Sequence, residues 1–317
     1  MKKVTWIHVV DPPKERLIEL FPYELHPVAV ETLTLVRDFD EHVFTNLECH
    51  DLYLAGEIAI PVEDDSPDRL GTVGLRIIAD FDRLVTVINT PRRIPPEFSI
   101  PNLFPVVERA HSETLSVGEQ LWLLLDHVVT LLEKQLDEAL EGAEALEAEL
   151  DRGDKPPDNA RQLISDIRHA LLGVQELANP LLELSTRIID DELDLRDNIE
   201  GTPRELFERP TEIRVMDVRA QLRNIGARVE YGLQVMTALS DSLKEFLARE
   251  QADAGNRMAA VASIMLLPTF VVGLYGMNID PDSFPEMGFL NGYLFAWGLI
   301  VVLTLFQVWL FRRKKWI

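Results

Sequence analysis

A short polar segment between two apolar segments contains the residues of this chain best suited to holding a cation. Gly276, Met277 and Asn278 follow the apolar residues 258–275. The loop after them has three acids and no base, the acids being Asp280, Asp282 and Glu286. An Asn amide offers a neutral carbonyl oxygen that binds a hydrated divalent cation weakly enough to release it, and the acids would concentrate cations nearby. Gly and Asn are also common at helix C-caps, so the residues alone leave both readings open.

The two apolar segments, 258–275 and 292–311, are each long enough to cross a membrane. Eighteen residues make a helix of about 27 Å, which just spans the hydrocarbon core of a bilayer. The basic residues of the tail 312–317 follow the second segment. By the positive-inside rule this tail is cytoplasmic, so the loop 276–291 is expected on the outer side. Gln307 is the one strongly polar interior residue of the second segment, which is expected to face lipid.

The first apolar segment carries small and polar residues along one helical face. Ala262, Leu266, Thr269 and Gly273 are spaced by four, three and four residues, with Met258 one turn earlier. Such a face either allows close helix packing or lines a narrow axial pore, with Met258 and Leu266 at its gate. Two spans per chain cannot enclose a pore, so the second reading requires an oligomer.

Residues 1–110 have the pattern of a mixed α/β domain. Strands are predicted at 4–10, 51–60, 72–79 and 83–89, separated by Pro-containing and acidic turns. A helix is predicted at 14–20, and the Pro-rich residues 91–105 are interpreted as the exit from this domain.

Residues 111–257 have the pattern of long helices. Helices are predicted at 116–151, at 159–198 with a bend at Pro180, and from about residue 211 to 275. The first has an apolar stripe formed by Leu121, Leu124, Leu125, Val128, Leu131, Leu132 and Leu136. The third would be roughly 95 Å long, so it is expected to be a stalk that runs into the bilayer.

The composition argues against nucleic acid as the partner and suits a protein that meets cations, although acidic soluble domains are common and need bind nothing. The formal charge is -22, with 53 acidic residues, whereas nucleic-acid binding requires a basic face. The acidic clusters at 133–154 and 190–197 could bind Mg²⁺ loosely as a sink or sensor, but such runs are more often solvated helix faces. The one cysteine, Cys49, excludes a disulfide within the chain. No signal peptide is recognised, so the N-terminal domain is expected in the cytoplasm.

Three sequence motifs resemble those of the CorA family of magnesium and cobalt transport proteins. The first is Tyr275-Gly276-Met277-Asn278 at the end of the penultimate span, and the second is Phe284-Pro285-Glu286 in the loop. The third is the terminal Lys315-Trp316-Ile317. Weaker matches are the strand Trp6-Ile7-His8-Val9, in which His8 departs from the family pattern, and the segment Leu25-His26-Pro27-Val28-Ala29-Val30-Glu31-Thr32.

The resemblance implies a homopentameric, funnel-shaped channel of the inner membrane with both termini in the cytoplasm. Each chain would have an α+β N-terminal domain with a mixed sheet, a long-helix stalk and two C-terminal transmembrane helices. Gly276, Met277 and Asn278 would form the selectivity filter for Mg²⁺, with Co²⁺ or Ni²⁺ also carried. Influx would follow the membrane potential without catalysis, and no arrangement of nucleophile and base points to an enzyme.

The resemblance also implies a regulatory Mg²⁺ between subunits, which would favour the closed state. Thr32 stands where relatives often have an aspartate, so Glu31 and Asp217 are the residues that could hold this ion. Two alternatives remain open. One is a zinc transporter of the ZntB type, although such proteins tend to have Gly-Val-Asn and Met277 favours magnesium. The other is a membrane-anchored helical scaffold.

Overall fold

The computed structural model describes residues 4–21, 24–39, 41–64, 71–94, 98–151, 156–196, 201, 203–277 and 292–316. It divides the chain into two compact units, Met1–Ser240 and Asp241–Ile317, with the division inside the longest helix. In chain order the elements are β1 (Thr5–Val10), α1 (Lys14–Glu19), α2 (Pro27–Thr34), β2 (Asn46–Cys49), β3 (Leu54–Pro61), β4 (Glu63–Asp64), β5 (Thr72–Ala79), β6 (Arg83–Ile88), β7 (Phe98–Ser99), α3 (Phe104–Ser112), α4 (Val117–Asp151), α5 (Ala160–Ile189), β8 (Leu195–Arg196), β9 (Pro203–Arg204), α6 (Arg209–Tyr275) and α7 (Gly292–Arg313).

The first unit is built on a five-stranded mixed sheet with the order β1-β6-β5-β3-β2. β1 pairs with β6 in parallel, and the other pairs are antiparallel. α1 and α2 cover one face, where Leu17 and Leu33 pack in a cluster with Ile78 and Val85. α3, α4 and α5 also contact the sheet. Because both faces are covered, β3, β5 and β6 are buried almost throughout and read as continuous apolar runs.

Local sequence signals set the beginnings of two helices. At α4, the Ser116 backbone N–H donates to Glu119 Oε2 at 3.0 Å, and the Glu119 N–H donates to Ser116 Oγ at 3.3 Å. This reciprocal capping box fixes the first turn. At α2, Pro27 occupies the first turn, and the Val28 N–H donates to His26 Nδ1 at 3.3 Å. Both helices therefore begin where their own side chains satisfy free backbone N–H groups.

The long helices of the first unit pack through their apolar stripes. Six of the seven predicted stripe residues of α4 are buried, and Leu131 is half-buried. On α6, a Cβ at Gly232 would lie 2.9 Å from methyl groups of Leu140 and Leu171, so the three helices meet closely there. Ion pairs also join α4 to α6: Asp137 bonds Arg228, and Glu119 lies 3.6 Å from Arg214.

A buried ion cluster lies on the face of the sheet that α2 covers. Glu57 of β3 bonds Arg37 through Oε2, while Oε1 lies 3.4 Å from an amino nitrogen of Arg76 on β5. Side-chain exposures of Glu57 and Arg76 are 6% and 3%. Burial lowers the pKa of Arg76, and the Glu57 carboxylate partly offsets that shift. This carboxylate therefore compensates two guanidinium charges that have lost much of their hydration.

Most predicted elements are confirmed; one helix boundary is wrong, and two longer elements and the two-residue strands β4, β7, β8 and β9 were not expected. The strands expected at 4–10, 51–60, 72–79 and 83–89 match β1, β3, β5 and β6 within three residues at each end. The edge strand β2, which buries only one side chain, and α3, which begins inside the Pro-rich exit, were not expected. The helix predicted to reach residue 198 ends at Ile189. Asp191 adopts the left-handed conformation with φ 57°, which ends a helix rather than continues it.

The second unit contains the last part of α6 and all of α7. Within the described residues, these are the two helices long and apolar enough to cross a membrane, judged by length and composition. α6 continues without interruption through Pro268 to Tyr275. The long helix expected from about residue 211 to 275 is therefore present and begins two residues earlier.

Candidate functional site

The end of α6 forms the beginning of the candidate site. Beyond Tyr275, the Gly276 N–H donates to the Val272 carbonyl at 2.9 Å, and the Met277 N–H lies 3.4 Å from the Leu274 carbonyl. These bonds close the last helical turn, and the Met277 side chain is 56% exposed. The other predicted residues of the mouth lie outside the described residues; they are Asn278, Asp280, Asp282 and Glu286.

One side of α6 contacts α7 through a polar pair. Gln307 Nε2 of α7 lies 3.1 Å from Ser263 Oγ and 3.3 Å from the Ser263 carbonyl oxygen. At 100° per residue, Ala260 and Val271 lie on the same side of α6 as Ser263, and both are buried. The second span was expected to face lipid, and its one strongly polar interior residue, Gln307, is turned towards the neighbouring helix. The sequence held a signal for this, because a primary amide in an apolar span needs a polar partner and Ser263 is in the other span.

The residues predicted to line a pore lie on the side of α6 opposite Ala260 and Val271. Met258 is 74% exposed and Leu266 is 70% exposed. Ala262, Thr269 and Gly273 are exposed as well, and a Cβ placed at Gly273 would meet no atom within 4 Å. The Thr269 hydroxyl donates to the Met265 carbonyl at 2.8 Å, so its polarity is satisfied within the helix. Within the described part of the second unit, these five residues therefore share one uncovered face.

The predicted regulatory residues lie in the first unit on two different helices. Glu31 on α2 and Asp217 on α6 are both exposed. Thr32, next to Glu31, uses its hydroxyl to donate to the Val28 carbonyl at 2.9 Å. Across the described residues, no group of three or more His, Cys, Asp or Glu side chains is placed to hold a metal ion. Glu31 and Asp217 therefore do not belong to such a group in the part of the chain that the structure describes.

His8 occupies a half-buried position on β1. Its Nδ1 lies 3.0 Å from Thr86 Oγ1, which also accepts a hydrogen bond from the Trp6 indole at 2.9 Å. The ring meets Phe104 edge-on at 5.3 Å. Burial lowers the pKa of His8, partly offset by hydrogen bonding to Thr86. The imidazole therefore favours its neutral form in the folded protein.

Comparison with known proteins identifies the family. The model of the family described as CorA-like Mg²⁺ transporter protein matches residues 1–313. A cobalt/magnesium transport protein CorA from Thermotoga maritima is 25% identical over 194 residues, which cover 61% of this chain and about half (50%) of that relative. A zinc transport protein ZntB from Yersinia pseudotuberculosis is 25% identical over 272 residues, covering 80% of this chain and 70% of that protein.

A solved structure shows the fold. The complete structure of the CorA magnesium transporter from Methanocaldococcus jannaschii superposes with a TM-score of 0.72 at 16% identity, covering 99% of this chain and 92% of that one. The expected α+β domain, long helix and two apolar C-terminal helices are confirmed. Because the family model spans nearly the whole sequence, this chain belongs to the family of CorA-like Mg²⁺ transporter proteins.

Proposed function

We propose that this chain forms a homopentameric channel of the inner membrane that admits divalent cations, with Mg²⁺ as the principal ion and Co²⁺ or Ni²⁺ as others. The observation that carries the proposal is the arrangement of α6. One side of this helix contacts α7, and the opposite side presents an uncovered face that leads to Gly276 and Met277. Copies arranged around an axis would bring five such faces together as the wall of a pore.

In this proposal the membrane part follows the sequence boundaries. Residues 258–275 line the pore, 292–311 form the outer span, and 276–291 form the outer loop. The tail 312–317 and the domains 1–110 and 111–257 are cytoplasmic. The family match and the two apolar helices support this arrangement.

The ion is selected as a hydrated species at a ring of Asn278 side chains. Mg²⁺ gives up its water reluctantly, so neutral amide oxygens that contact its water shell avoid the cost of stripping it. Asp280, Asp282 and Glu286 raise the local cation concentration at the mouth. A divalent ion that falls through 100 mV gains about 4.6 kcal/mol, which drives influx without ATP.

Gating is assigned to Mg²⁺ bound between subunits at Glu31 and Asp217. Both carboxylates are exposed on one chain, which leaves them free to meet a neighbouring copy. A ligand closes the channel only if it binds the closed state more tightly. Raising Mg²⁺ on the cytoplasmic side should therefore slow flux through the native protein and leave Asp217→Asn much less inhibited. Equal inhibition of both proteins would remove Asp217 from the regulatory site.

Zinc is the second candidate ion, because the matched segment shared with the zinc transport protein ZntB covers more of this chain than the segment shared with the cobalt/magnesium transport protein. The experiment measures initial uptake of Mg²⁺ and of Zn²⁺ into proteoliposomes loaded with the matching indicator. We expect the native protein to favour Mg²⁺ and Met277→Val to narrow that preference. Zn²⁺ uptake with no Mg²⁺ uptake would assign the protein to zinc transport, and empty liposomes give the background.

A further inference from the structure

We propose that Gln307 is a positioning residue whose bonds to Ser263 fix the rotation of α6 about its own axis relative to α7. The inference rests on the proposed function, since the face that this rotation controls is the predicted pore face. Gln307 touches no ion in this proposal and acts only through Ser263.

The first support is the geometry of the contact. Gln307 Nε2 lies within 3.3 Å of two oxygens of the same residue, the hydroxyl and the carbonyl of Ser263. Two acceptors on one residue fix the angular position of α6 more closely than a single side-chain contact would. The predicted pore face formed by Met258, Ala262, Leu266, Thr269 and Gly273 begins about 60° round the helix from Ser263, at Leu266, so any rotation that breaks the contact turns that face out of place.

The second support is the cost of placing this amide among apolar residues. Gln307 Oε1 is buried, and it has no hydrogen-bond partner among the described residues. A buried, unsatisfied amide oxygen is unfavourable. In a membrane there is no hydrophobic driving force between helices, because lipid tails are as apolar as the side chains, so interhelical hydrogen bonds contribute alongside packing to how two helices meet. A single polar residue can specify register in such an interface at a cost in stability, and Gln307 has this character.

The third support is the weak point that follows Ser263 in α6. Pro268 has no N–H, so the Ile264 carbonyl lacks the donor that a helix normally places four residues later. The helix is therefore easier to twist or bend between these residues than elsewhere in the span. Ser263 lies one residue before that freed carbonyl. A bond from α7 at this position holds α6 where its own hydrogen-bond ladder is interrupted.

The test measures the rotation of α6 by cross-linking cysteines introduced on two of its sides. Cys49 is the single native cysteine, so Cys49→Ser gives a thiol-free background in which Leu266→Cys or Val271→Cys is introduced. With Gln307 retained, we expect cross-links between subunits at position 266 and few at the buried position 271. Gln307→Leu should lower the ratio of the two yields about threefold to tenfold, as expected for one hydrogen bond within a membrane. Thr304→Val, a polar-to-apolar change nearby on α7, should leave the ratio unchanged.

A second measurement separates positioning from general damage to the fold. A carboxyl group donates a hydrogen bond only while it is protonated, and its burial between apolar helices disfavours the charged form. Gln307→Glu should therefore transport Mg²⁺ near the native rate at pH 5 and well below it at pH 8. Rates are taken relative to the native protein at each pH. One protein sample thus serves as its own folding control.

The outcomes distinguish this inference from the proposed function. An unchanged 266-to-271 ratio in Gln307→Leu, or a pH-independent relative rate in Gln307→Glu, overturns the positioning role while the channel proposal stands. Failure of position 266 to cross-link even with Gln307 present removes the predicted pore face and, with it, this inference. The positioning role and the channel proposal are both supported by two results together. Gln307→Leu reduces cross-linking at position 266, and Gln307→Glu transports Mg²⁺ near the native rate at pH 5 but not at pH 8.

Discussion

At the residue scale, the buried Glu57 is held between Arg37 and Arg76 in the first unit. Removal of one partner from a buried ion cluster leaves uncompensated charge and typically costs 3–5 kcal/mol. We expect Glu57→Gln to lower the free energy of unfolding by about 3 kcal/mol because Arg37 retains some exposure to solvent. Thermal unfolding of the full chain in detergent, followed by tryptophan fluorescence, measures this as a drop in midpoint of several degrees.

The matched control for Glu57 is Glu48 on the edge strand β2. Its carboxylate is exposed and accepts a 3.0 Å hydrogen bond from Asn46. Glu48→Gln should change the midpoint by less than a degree or so, since exposed contacts are worth little. Equal midpoints for the two variants would show that the buried cluster does not depend on the charge of Glu57.

His8 predicts a pH dependence of stability. Its pKa is lowered in the folded state, so the unfolded chain binds the proton more tightly. At a pH well above the ordinary His pKa of about 6.5, His8 is neutral in both states and does not change the free energy of unfolding. As the pH falls below that value, protonation of the unfolded chain lowers the free energy of unfolding. Between pH 7.5 and 5.5, the unfolding midpoint should fall further in the native protein than in His8→Gln. Parallel decreases in both proteins would assign the acid sensitivity to other groups.

At the element scale, two glycines of α6 differ in what surrounds them. A Cβ at Gly232 would meet methyl groups of Leu140 and Leu171 at 2.9 Å, whereas one at Gly226 would meet nothing within 4 Å. Gly226→Ala should stabilise the protein by about 0.5–1 kcal/mol through helix propensity. Gly232→Ala should give no such gain, because the crossing of α4 and α5 with α6 must open slightly. Thermal unfolding of both variants checks this, and an equal gain at both positions would contradict the close crossing.

The elements could be predicted from the sequence wherever their pattern was local. Two local patterns predict α4 without tertiary information: the apolar stripe from Leu121 to Leu136, and the capping residues Ser116 and Glu119. β2 could not be found in this way, because only Leu47 is buried and its pairing with β3 is a tertiary event. The end of α5 at Ile189 was also missed, since a run of acids without Gly or Pro gives no stop signal.

At the scale of the whole molecule, the sequence predicted the two apolar spans better than it predicted how they pack against each other. The two spans and the uncovered face from Met258 to Gly273 follow from hydropathy and helical spacing. The Ser263–Gln307 contact joins residues 44 positions apart. Both are recognisable as polar residues in apolar spans, but no spacing in the sequence assigns one to the other as its partner. Only the packing of α6 against α7 brings them together.

Overall similarity identifies the family of this chain but does not identify the ion that it transports. A match over residues 1–313 identifies the family, but the relatives include both a cobalt/magnesium and a zinc transport protein at the same 25% identity. In the proposed channel, ion choice depends on a few atoms at the mouth. Overall similarity therefore says little about the ion, and the residues of the filter must be tested directly.

The most direct test is Mg²⁺ uptake into proteoliposomes under an imposed inside-negative potential, comparing the native chain with Asn278→Ala. We predict that the native rate rises as the potential becomes more negative. We also predict that Asn278→Ala, recovered as the same oligomer, loses most of the flux or its preference for Mg²⁺. Native uptake no faster than in empty liposomes, or an unchanged rate and preference in Asn278→Ala, would contradict the account.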